Sequence, residues 1–384
     1  MVKNAILIFL FTCSTVYGQQ ILTTTIESDY LENSRDVRIY IPKSYELDSV
    51  KSYPLAIVFD AEFLFDIYVG NSVLFASKDK APEQIVVGIN MAETRKNDTY
   101  FNINTGQLNP TNQAFYEFIR DEVTFYMESN YRTSPFISLI GTGTSANLIS
   151  QFLKESKPIF NAYVCINPIF SDFIRQQMQN FALERYGKED NTFYLYTNNS
   201  NTFSPKRQTL INQVQTFLGN YEIENFNIVN DYITTKSSIS TIGEAIPRAI
   251  TKVFELYSPI SKDEFDTKIK NLSPEDAIAY LENKYIEIEF LFGSNLGIRE
   301  QDVFAIESII IDKENGDYLR DFGKMILKLF PSSPLGDYYI GRYYEEGNMI
   351  KKALKHYKIG YGKMDPSDPN ADKFYENILR LRGQ

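Results

Sequence analysis

Residues 137–147 read Ile-Ser-Leu-Ile-Gly-Thr-Gly-Thr-Ser-Ala-Asn, a short apolar run followed at once by glycines and small hydroxyl-bearing residues. The run at residues 137–140 predicts a buried strand, and the stretch after the glycines has helical character. A strand that passes into a helix through glycine makes a sharp turn, whose tip here is Gly143. We therefore expect the function of the protein to be decided at this junction.

The rest of the first half alternates strand-like and helix-like segments. Apolar or alternating runs predict further strands at residues 37–41, 55–59, 85–89, 162–166 and 193–196. Residues 115–128 carry apolar side chains at helical spacing. This alternation predicts an α/β fold with a doubly wound, mostly parallel sheet and helices on both faces.

The composition limits the size and the chemistry of the protein. A chain of 384 residues favours two domains, and 39 Lys and Arg against 49 Asp and Glu give a net charge of -10. That balance argues against nucleic acid or an anionic membrane surface as the main partner. The single histidine, His356, excludes a multi-histidine metal site. We expect neither a metal nor a cofactor.

The N-terminus has the pattern of a secretory signal peptide over residues 1–18. Lys3 precedes an apolar run at residues 5–11, and small residues stand before Gln19. Cys13 lies inside this segment, among bulky residues that fit a lipidation signal poorly. We therefore expect an exported protein of the periplasm or cell surface of a Gram-negative bacterium, with no transmembrane segment in the mature chain.

The pattern changes after residue 258. A proline and the polar residues 261–264 predict a hinge, so residues 19–258 are expected to form the α/β domain and residues 259–384 a small helical domain. Residues 335–368 have almost the spacing of a tetratricopeptide repeat, in which small residues let two antiparallel helices approach closely. One repeat is too few for a free-standing array, so we expect it to pack on the first domain.

A glycine-rich junction of strand and helix is also the nucleophile elbow of α/β-hydrolases, where G-x-S-x-G presents a strained serine. Around it the chain resembles the putative esterase family of α/β-hydrolases, which includes enterochelin-esterase-like, feruloyl-esterase-like and S-formylglutathione-hydrolase-like members. The segments that carry the resemblance are residues 38–45, 53–62, 82–89 with Arg95 and Asp98, 118–135 and 160–168. The resemblance covers roughly residues 30–257 and implies a hydrolase with a serine, histidine and acid triad.

The elbow departs from the family pattern at the nucleophile. It consists of Gly141, Thr142, Gly143, Thr144 and Ser145, and Gly143 stands where the family has serine. Ser145 falls in the first turn of the following helix, where its hydroxyl is expected to cap backbone amides. Thr142 is expected to point to the sheet side.

The acid and the base of the triad are absent as well. The family's acid follows the strand at residues 193–196, and here Asn198 and Asn199 stand in its place. The family's histidine is expected near Lys236, and no histidine occurs in this domain. A mechanism of this kind needs all three groups. We therefore predict an esterase-like protein without catalytic residues.

Backbone donors are expected to survive at the old site. The resemblance places oxyanion-hole amides near Ala61, Glu62 and Thr144, where an anion or a carbonyl oxygen would be welcome. The alternative is that the side chains of Thr142, Thr144 and Ser145 fill the former pocket.

The helical tail offers weaker signals. His356 is predicted to be an ordinary helix residue, and Asp365, Asp368 and Asp372 a turn between helices instead of a calcium site. Tyr338, Tyr339 and Tyr343 form either a partner-binding patch or simple helix packing.

Three functions follow from these observations. The first is an exported, catalytically inactive protein that binds a protein partner or acts as a scaffold in an envelope complex. The second is a binding protein for an acyl or glycan ligand in the former pocket. The third is a carboxylic-ester hydrolase with a non-standard nucleophile.

Overall fold

The structure is a computed structural model that describes residues 20–101, 108–293, 296–314, 316–365, 367–368 and 370–383. The predicted signal peptide, including Cys13, lies outside these residues. Within them, no helix combines the length and the apolar composition that a membrane span requires.

The described residues form one eight-stranded sheet. Its strands are β1 (Gln20–Ser28), β2 (Asn33–Ile41), β3 (Tyr53–Val58), β4 (Ile85–Ile89), β5 (Thr133–Thr142), β6 (Ala162–Ile166), β7 (Phe193–Ser200) and β8 (Phe226–Ile233). Their spatial order is β1-β2-β4-β3-β5-β6-β7-β8. Strand β2 is antiparallel to β1 and β4, whereas the other neighbouring strands pair in parallel. The predicted mostly parallel sheet is confirmed.

Helices connect the strands and then continue alone. They are α1 (Ala61–Ser77), α2 (Arg95–Asp98), α3 (Pro110–Glu117), α4 (Thr124–Asn130), α5 (Thr144–Gln151), α6 (Asp172–Met178), α7 (Pro205–Leu218), α8 (Ser238–Val253), α9 (Lys262–Glu264), α10 (Pro274–Phe292), α11 (Glu300–Glu314), α12 (Leu319–Leu329), α13 (Pro334–Glu346), α14 (Ile350–Tyr361) and α15 (Ala371–Arg382). A π-helical stretch, Phe118–Val123, joins α3 to α4. The helix predicted at residues 115–128 therefore falls within one continuous helical run.

Both faces of the sheet are covered by helices. As a result, the central strands β3 and β4 are buried at every position. Helices α1 and α8 and the end of α10 cover one face, with Phe65, Ile250 and Phe292 in its core. The other face packs against α3 to α7, with Phe115 and Phe152 among its buried residues. The sheet is thus doubly wound, as predicted.

Helices α10 to α13 enclose a second core, and α14 and α15 form a smaller cluster beside α13. This region is joined to the sheet through Phe292, whose ring packs against Phe136, Phe254 and Tyr257 at 5.0–6.0 Å between centroids. A second link is an ion pair between Arg299 and Asp79. The helical region therefore packs directly on the α/β domain, as expected from the sequence.

Helices α13 and α14 pack closely through small residues. A Cβ atom on Gly341 would lie 2.7 Å from the ring of Tyr357, so the two helices meet where the repeat spacing places a small residue against a large one. The assignment to the tetratricopeptide family stays a prediction.

The predicted tyrosine patch needs a correction. Tyr339 is fully buried and packs on Phe322, so it belongs to the core of the helical region and not to a surface. Tyr338 is half-buried between Tyr339 and Phe374. Helix packing therefore accounts for these two rings, while Tyr343 is half-buried beside Tyr344.

Candidate binding site at the strand–helix junction

Gly143 forms the tip of the sharp turn between β5 and α5. Its φ of 63° and ψ of -117° lie in a region that side-chain-bearing residues rarely adopt. Its amide donates to the carbonyl of Ile166 on β6 at 3.0 Å. A Cβ atom here would have only ordinary contacts, 3.5 Å to Arg95 Nη2 and to Ile169 Cδ1. The turn thus has the backbone of an elbow and no side chain at its tip.

Ser145 lies beneath the tip and not in front of it. The side chain is fully buried, and its Oγ donates to Asp60 Oδ2 at 2.6 Å and accepts from the amide of Thr142 at 2.8 Å. Space for it exists because residue 141 is glycine, whose Cβ would stand 2.7 Å from this oxygen. Ser145 was expected to cap backbone amides. It does so for the amide of Thr142 in β5, and no side chain caps the start of α5. Its hydroxyl links the turn to Asp60, the residue before α1.

Thr144 directly follows the tip and is the first residue of α5. Its Oγ1 accepts from Arg95 Nη1 at 3.1 Å and pairs with Thr99 Oγ1 at 2.8 Å. Since the Thr99 hydroxyl donates to the carbonyl of Arg95 at 2.7 Å, the shared hydrogen must come from Thr144. The Thr144 hydroxyl is therefore committed as both donor and acceptor.

An ion pair between Arg95 and Asp60, which the sequence did not predict, lies beside the tip. Arg95, the first residue of α2, donates from Nε to Asp60 Oδ1 at 2.6 Å and from Nη2 to the carbonyl of Thr142 at 2.9 Å. Asp60 is fully buried and has a φ of 54°, between β3 and α1. The sequence held one signal for this site, an acidic residue directly after a buried strand. Nothing in the sequence showed that an arginine 35 residues later would pair with it.

The predicted oxyanion-hole residues lie at helix starts. Ala61 and Glu62 open α1 and Thr144 opens α5, and the first amides of a helix have no partner within it. Ala61 is buried, and the Glu62 carboxylate accepts from the amide of Met91 at 3.2 Å. Ala61 and Thr144 lie at the starts of different helices, and their joint role stays a prediction.

The acid and base positions hold neutral or exposed groups. Asn198 is fully buried and exchanges two hydrogen bonds with Asn167, at 2.7 and 2.8 Å. Asn199 donates to the side chain of Asn212 at 2.7 Å. Lys236 lies exposed in the loop between β8 and α8. The two asparagines act as structural links at this edge of the sheet.

A cavity of about 580 Å³ opens beside Gly143. Arg95, Thr99 and Thr144 contribute polar atoms to its lining, and its apolar lining includes Ile169 and Phe170. Asn147 also lines it, but its amide is used on the backbone of Ile169, as donor at 2.6 Å and as acceptor at 3.0 Å. The alternative that the side chains of Thr142, Thr144 and Ser145 fill the pocket is therefore wrong for this cavity.

The remaining candidates lie elsewhere. His356 stacks on Tyr344 and contacts Asp337 at 2.9 Å, between α13 and α14. Asp365 accepts from Ser367 within a turn, and no cluster of metal-binding residues occurs in the described part of the chain. Cys165 is buried on β6, and burial raises the pKa of its thiol well above the usual value. None of these groups lines the cavity.

Comparisons with known proteins agree with the fold. A protein from Capnocytophaga ochracea of uncharacterised function superimposes with a TM-score of 0.79 at 23% identity, over 95% of this chain and 100% of that one. An IroE-like serine hydrolase from Shewanella oneidensis gives a TM-score of 0.58 at 19% identity, over 81% and 98%. A siderophore hydrolase, EstB, from Aspergillus nidulans gives 0.51 at 11%, over 66% and 98%. A comparison with curated sequences finds no match.

The sheet order, the antiparallel β2 and the sharp turn after β5 define the fold as that of an α/β-hydrolase. The family model of "Putative esterase" matches residues 28–147, a range that ends inside α5 just beyond the junction. This match and the fold agree with the resemblance to esterases that the sequence indicated.

Proposed function

We propose that this protein is a catalytically inactive member of the esterase fold that binds a small molecule in the cavity beside Gly143. The observation that carries the proposal is the tip of the elbow, where Gly143 has the required backbone and no attacking group. Ester hydrolysis by this fold needs a nucleophile that projects from the tip and a base that takes its proton.

The neighbouring hydroxyls do not replace the missing serine. The Ser145 hydroxyl is fully buried, so no substrate carbonyl reaches it. The Thr144 hydroxyl faces the Arg95 guanidinium, a group that holds its protons and cannot act as a base. Among the described residues, no histidine lines the cavity. These contacts support binding without hydrolysis.

The test is a hydrolysis assay on the full chain with 4-nitrophenyl acetate and butyrate. We expect the rate to equal the background rate in buffer, because no activated nucleophile faces the cavity. The Gly143→Ser variant serves as a matched control, and we expect it to be inactive too, since a serine without a base remains weak. Turnover well above background by the native protein would contradict the proposal.

A second candidate function is a protein-binding or scaffolding role in a cell-envelope complex, for which the predicted signal peptide supplies the export. One observation favours it: Tyr361 of α14 and Tyr375 of α15 are 41% and 45% exposed, with ring centroids 5.7 Å apart. Exposed aromatic pairs are typical of interfaces. Isolation of the native protein in mild detergent tests this role, and recovery of the chain alone would count against it.

A further inference from the structure

We propose that the cavity beside Gly143 binds an organic carboxylate with an apolar body, and that its carboxylate lies against Arg95. This inference rests on the proposed function and names the chemical class of its ligand. It follows from three features of the cavity: the hydrogen-bond donors of its floor, the apolar walls, and the open space at the tip of the turn. The floor consists of Arg95, Thr99, Thr144 and Asn147.

The first step is an account of the Arg95 guanidinium, which has five N–H donors. Nε and Nη2 donate to the two oxygens of Asp60, at 2.6 and 3.4 Å, and Nη2 also donates to the carbonyl of Thr142. Nη1 donates to Thr144. Four donors are thus used, and the second hydrogen of Nη1 has no acceptor among the described residues. Arg95 lines the cavity and its side chain is 34% exposed.

The second step concerns the space in front of this cation. Arg95 Nη2 stands 3.5 Å from the place where a side chain on Gly143 would begin. Because residue 143 is glycine, no side chain covers this side of the guanidinium. Both hydrogens of Nη2 are used, so a ligand oxygen that enters over the tip of the turn has to accept the free hydrogen of Nη1. A serine here would place its own hydroxyl in that space.

The third step is the choice among acceptors. The hydroxyl hydrogens of Thr99 and Thr144 are already donated, and the Asn147 amide uses its oxygen and one of its two hydrogens on the backbone of Ile169. The free charged donor on the floor is therefore the second hydrogen of Arg95 Nη1, and a ligand that binds there must supply a hydrogen-bond acceptor. An ionised acceptor makes the strongest bond to a guanidinium, which favours a carboxylate over an ester carbonyl.

The charges around Arg95 are balanced. Asp60 lies on the protein side of the guanidinium, fully buried, with both oxygens hydrogen bonded. Lys96 and Glu93 at the exposed rim carry opposite charges. The selectivity for an anion therefore comes from a directed hydrogen bond and not from a general positive field.

The walls determine the rest of the ligand. Ile169 lies at the mouth, and Phe170, Phe101 and Ile174 are buried side chains that line the cavity. A volume of about 580 Å³ lies within the range of small-molecule sites. An aromatic or branched aliphatic body attached to the carboxylate matches this lining.

The experiment is a calorimetric titration of the full chain with 4-phenylbutyrate, 4-phenylbutan-1-ol and methyl 4-phenylbutyrate. These probes share the apolar body and differ in the head group. We expect the acid to bind about tenfold or more tightly than the alcohol or the ester, since a hydrogen bond to a charged group separates them. Equal affinity of the acid and the alcohol would overturn the inference.

Two variants locate the site. Arg95→Lys keeps a cation for Asp60 but lacks the planar fork, and we expect it to weaken the acid about tenfold and to leave the alcohol unchanged. Ile169→Trp fills the mouth at an exposed position and is expected to weaken all three probes. Arg248→Lys, an ion-paired arginine outside the cavity lining, is the control and should bind like the native protein. Unchanged binding in both cavity variants would contradict the site.

The same samples separate the two proposals. If NMR spectra of the methyl ester show it hydrolysed, the proposed inactivity fails, whatever the affinities are. If the ester stays intact and the acid is not preferred, the carboxylate inference fails alone. Should Arg95→Lys not fold, as judged by its circular dichroism, the preference measured on the native protein still decides.

Discussion

Gly143 supports the turn through its backbone alone. Its φ of 63° with a ψ of -117° is strained for any other residue, so Gly143→Ser is expected to lower the free energy of unfolding by about 1–3 kcal/mol. Denaturant unfolding measures this change. Gly70→Ser is the matched control, because a side chain at this helical position meets nothing within 4 Å, and it should be neutral or slightly stabilising. Equal effects of the two substitutions would contradict the assigned strain.

Ser145 is predicted to be a structural residue. Ser145→Ala removes a donor to the buried Asp60 and an acceptor for the amide of Thr142, and should cost about 1–3 kcal/mol of stability. Ser150→Ala, also buried, loses only a bond to the helix carbonyl of Asn147 and should cost less. Denaturant melts of both variants provide the comparison, and a smaller loss for Ser145→Ala than for Ser150→Ala would contradict this role.

The sequence predicted the tip of the turn and its missing hydroxyl, because strand, glycines and helix are contiguous there. It did not predict the floor of the cavity. Asp60, Arg95 and Thr144 come from three separate segments, and their contacts depend on how the loops after β3, β4 and β5 meet. A pattern read along the chain carries no information on such distances.

The pair of helices α13 and α14 depends on a close approach at Gly341. A Cβ here would lie 2.7 Å from the Tyr357 ring, so Gly341→Ala is expected to cost about 1–3 kcal/mol through overpacking. Gly243→Ala in α8 is the control, since its Cβ would meet nothing within 4 Å, and helix propensity should make it stabilising. Thermal melts test the pair. A stabilising Gly341→Ala would show that the helices are not packed this closely.

Glu345 links three helices and makes their packing depend on pH. The Arg380 side chain of α15 and the Tyr357 hydroxyl of α14 bond its carboxylate, and they hold its pKa below the usual value. A lowered pKa in the folded state contributes stability that is present above the ordinary value, about 4.3, and is lost as the pH falls through the folded pKa.

The stability lost by Glu345→Gln should therefore be largest near pH 7 and shrink below about pH 4. Melting temperatures between pH 7 and pH 3 measure this. Glu346→Gln, on a more exposed side chain of the same helix, is the comparison. A difference between native protein and Glu345→Gln that does not change with pH would contradict the role of the carboxylate.

Most of the sheet could be predicted, because strands buried on both faces appear as continuous apolar runs. The outermost strands β1 and β8 were missed. Their sequences, with polar residues such as Thr23, Thr24, Asn227 and Asp231, lack that signal because edge strands face solvent. The alternating signal of β2 survived because one of its faces is buried.

The α/β domain and the helical region share a core at Phe292. Its ring is fully buried among Phe136, Phe254 and Tyr257, so Phe292→Ala is expected to cost about 3–5 kcal/mol. Phe290→Ala, on the same helix with 57% of its side chain exposed, should have little effect. Calorimetry of both variants tests whether the regions unfold together. A small effect at Phe292 would indicate that they are only loosely joined.

The molecule combines an α/β-hydrolase fold with a strand–helix junction whose polar side chains hydrogen bond to one another. Export, a cellular location and a protein partner are proposals that rest on the N-terminal pattern and on the helical region. The chemistry of the cavity can be tested without knowing any of them.

The most direct measurement is the intact mass of the protein after incubation with a fluorophosphonate that labels activated serine and threonine hydroxyls. An active member of the same fold, treated in parallel, shows that the reagent works. We predict an unchanged mass for this protein. A stoichiometric adduct that disappears in Thr144→Val or Ser145→Ala would show a working nucleophile beside Gly143 and contradict the account.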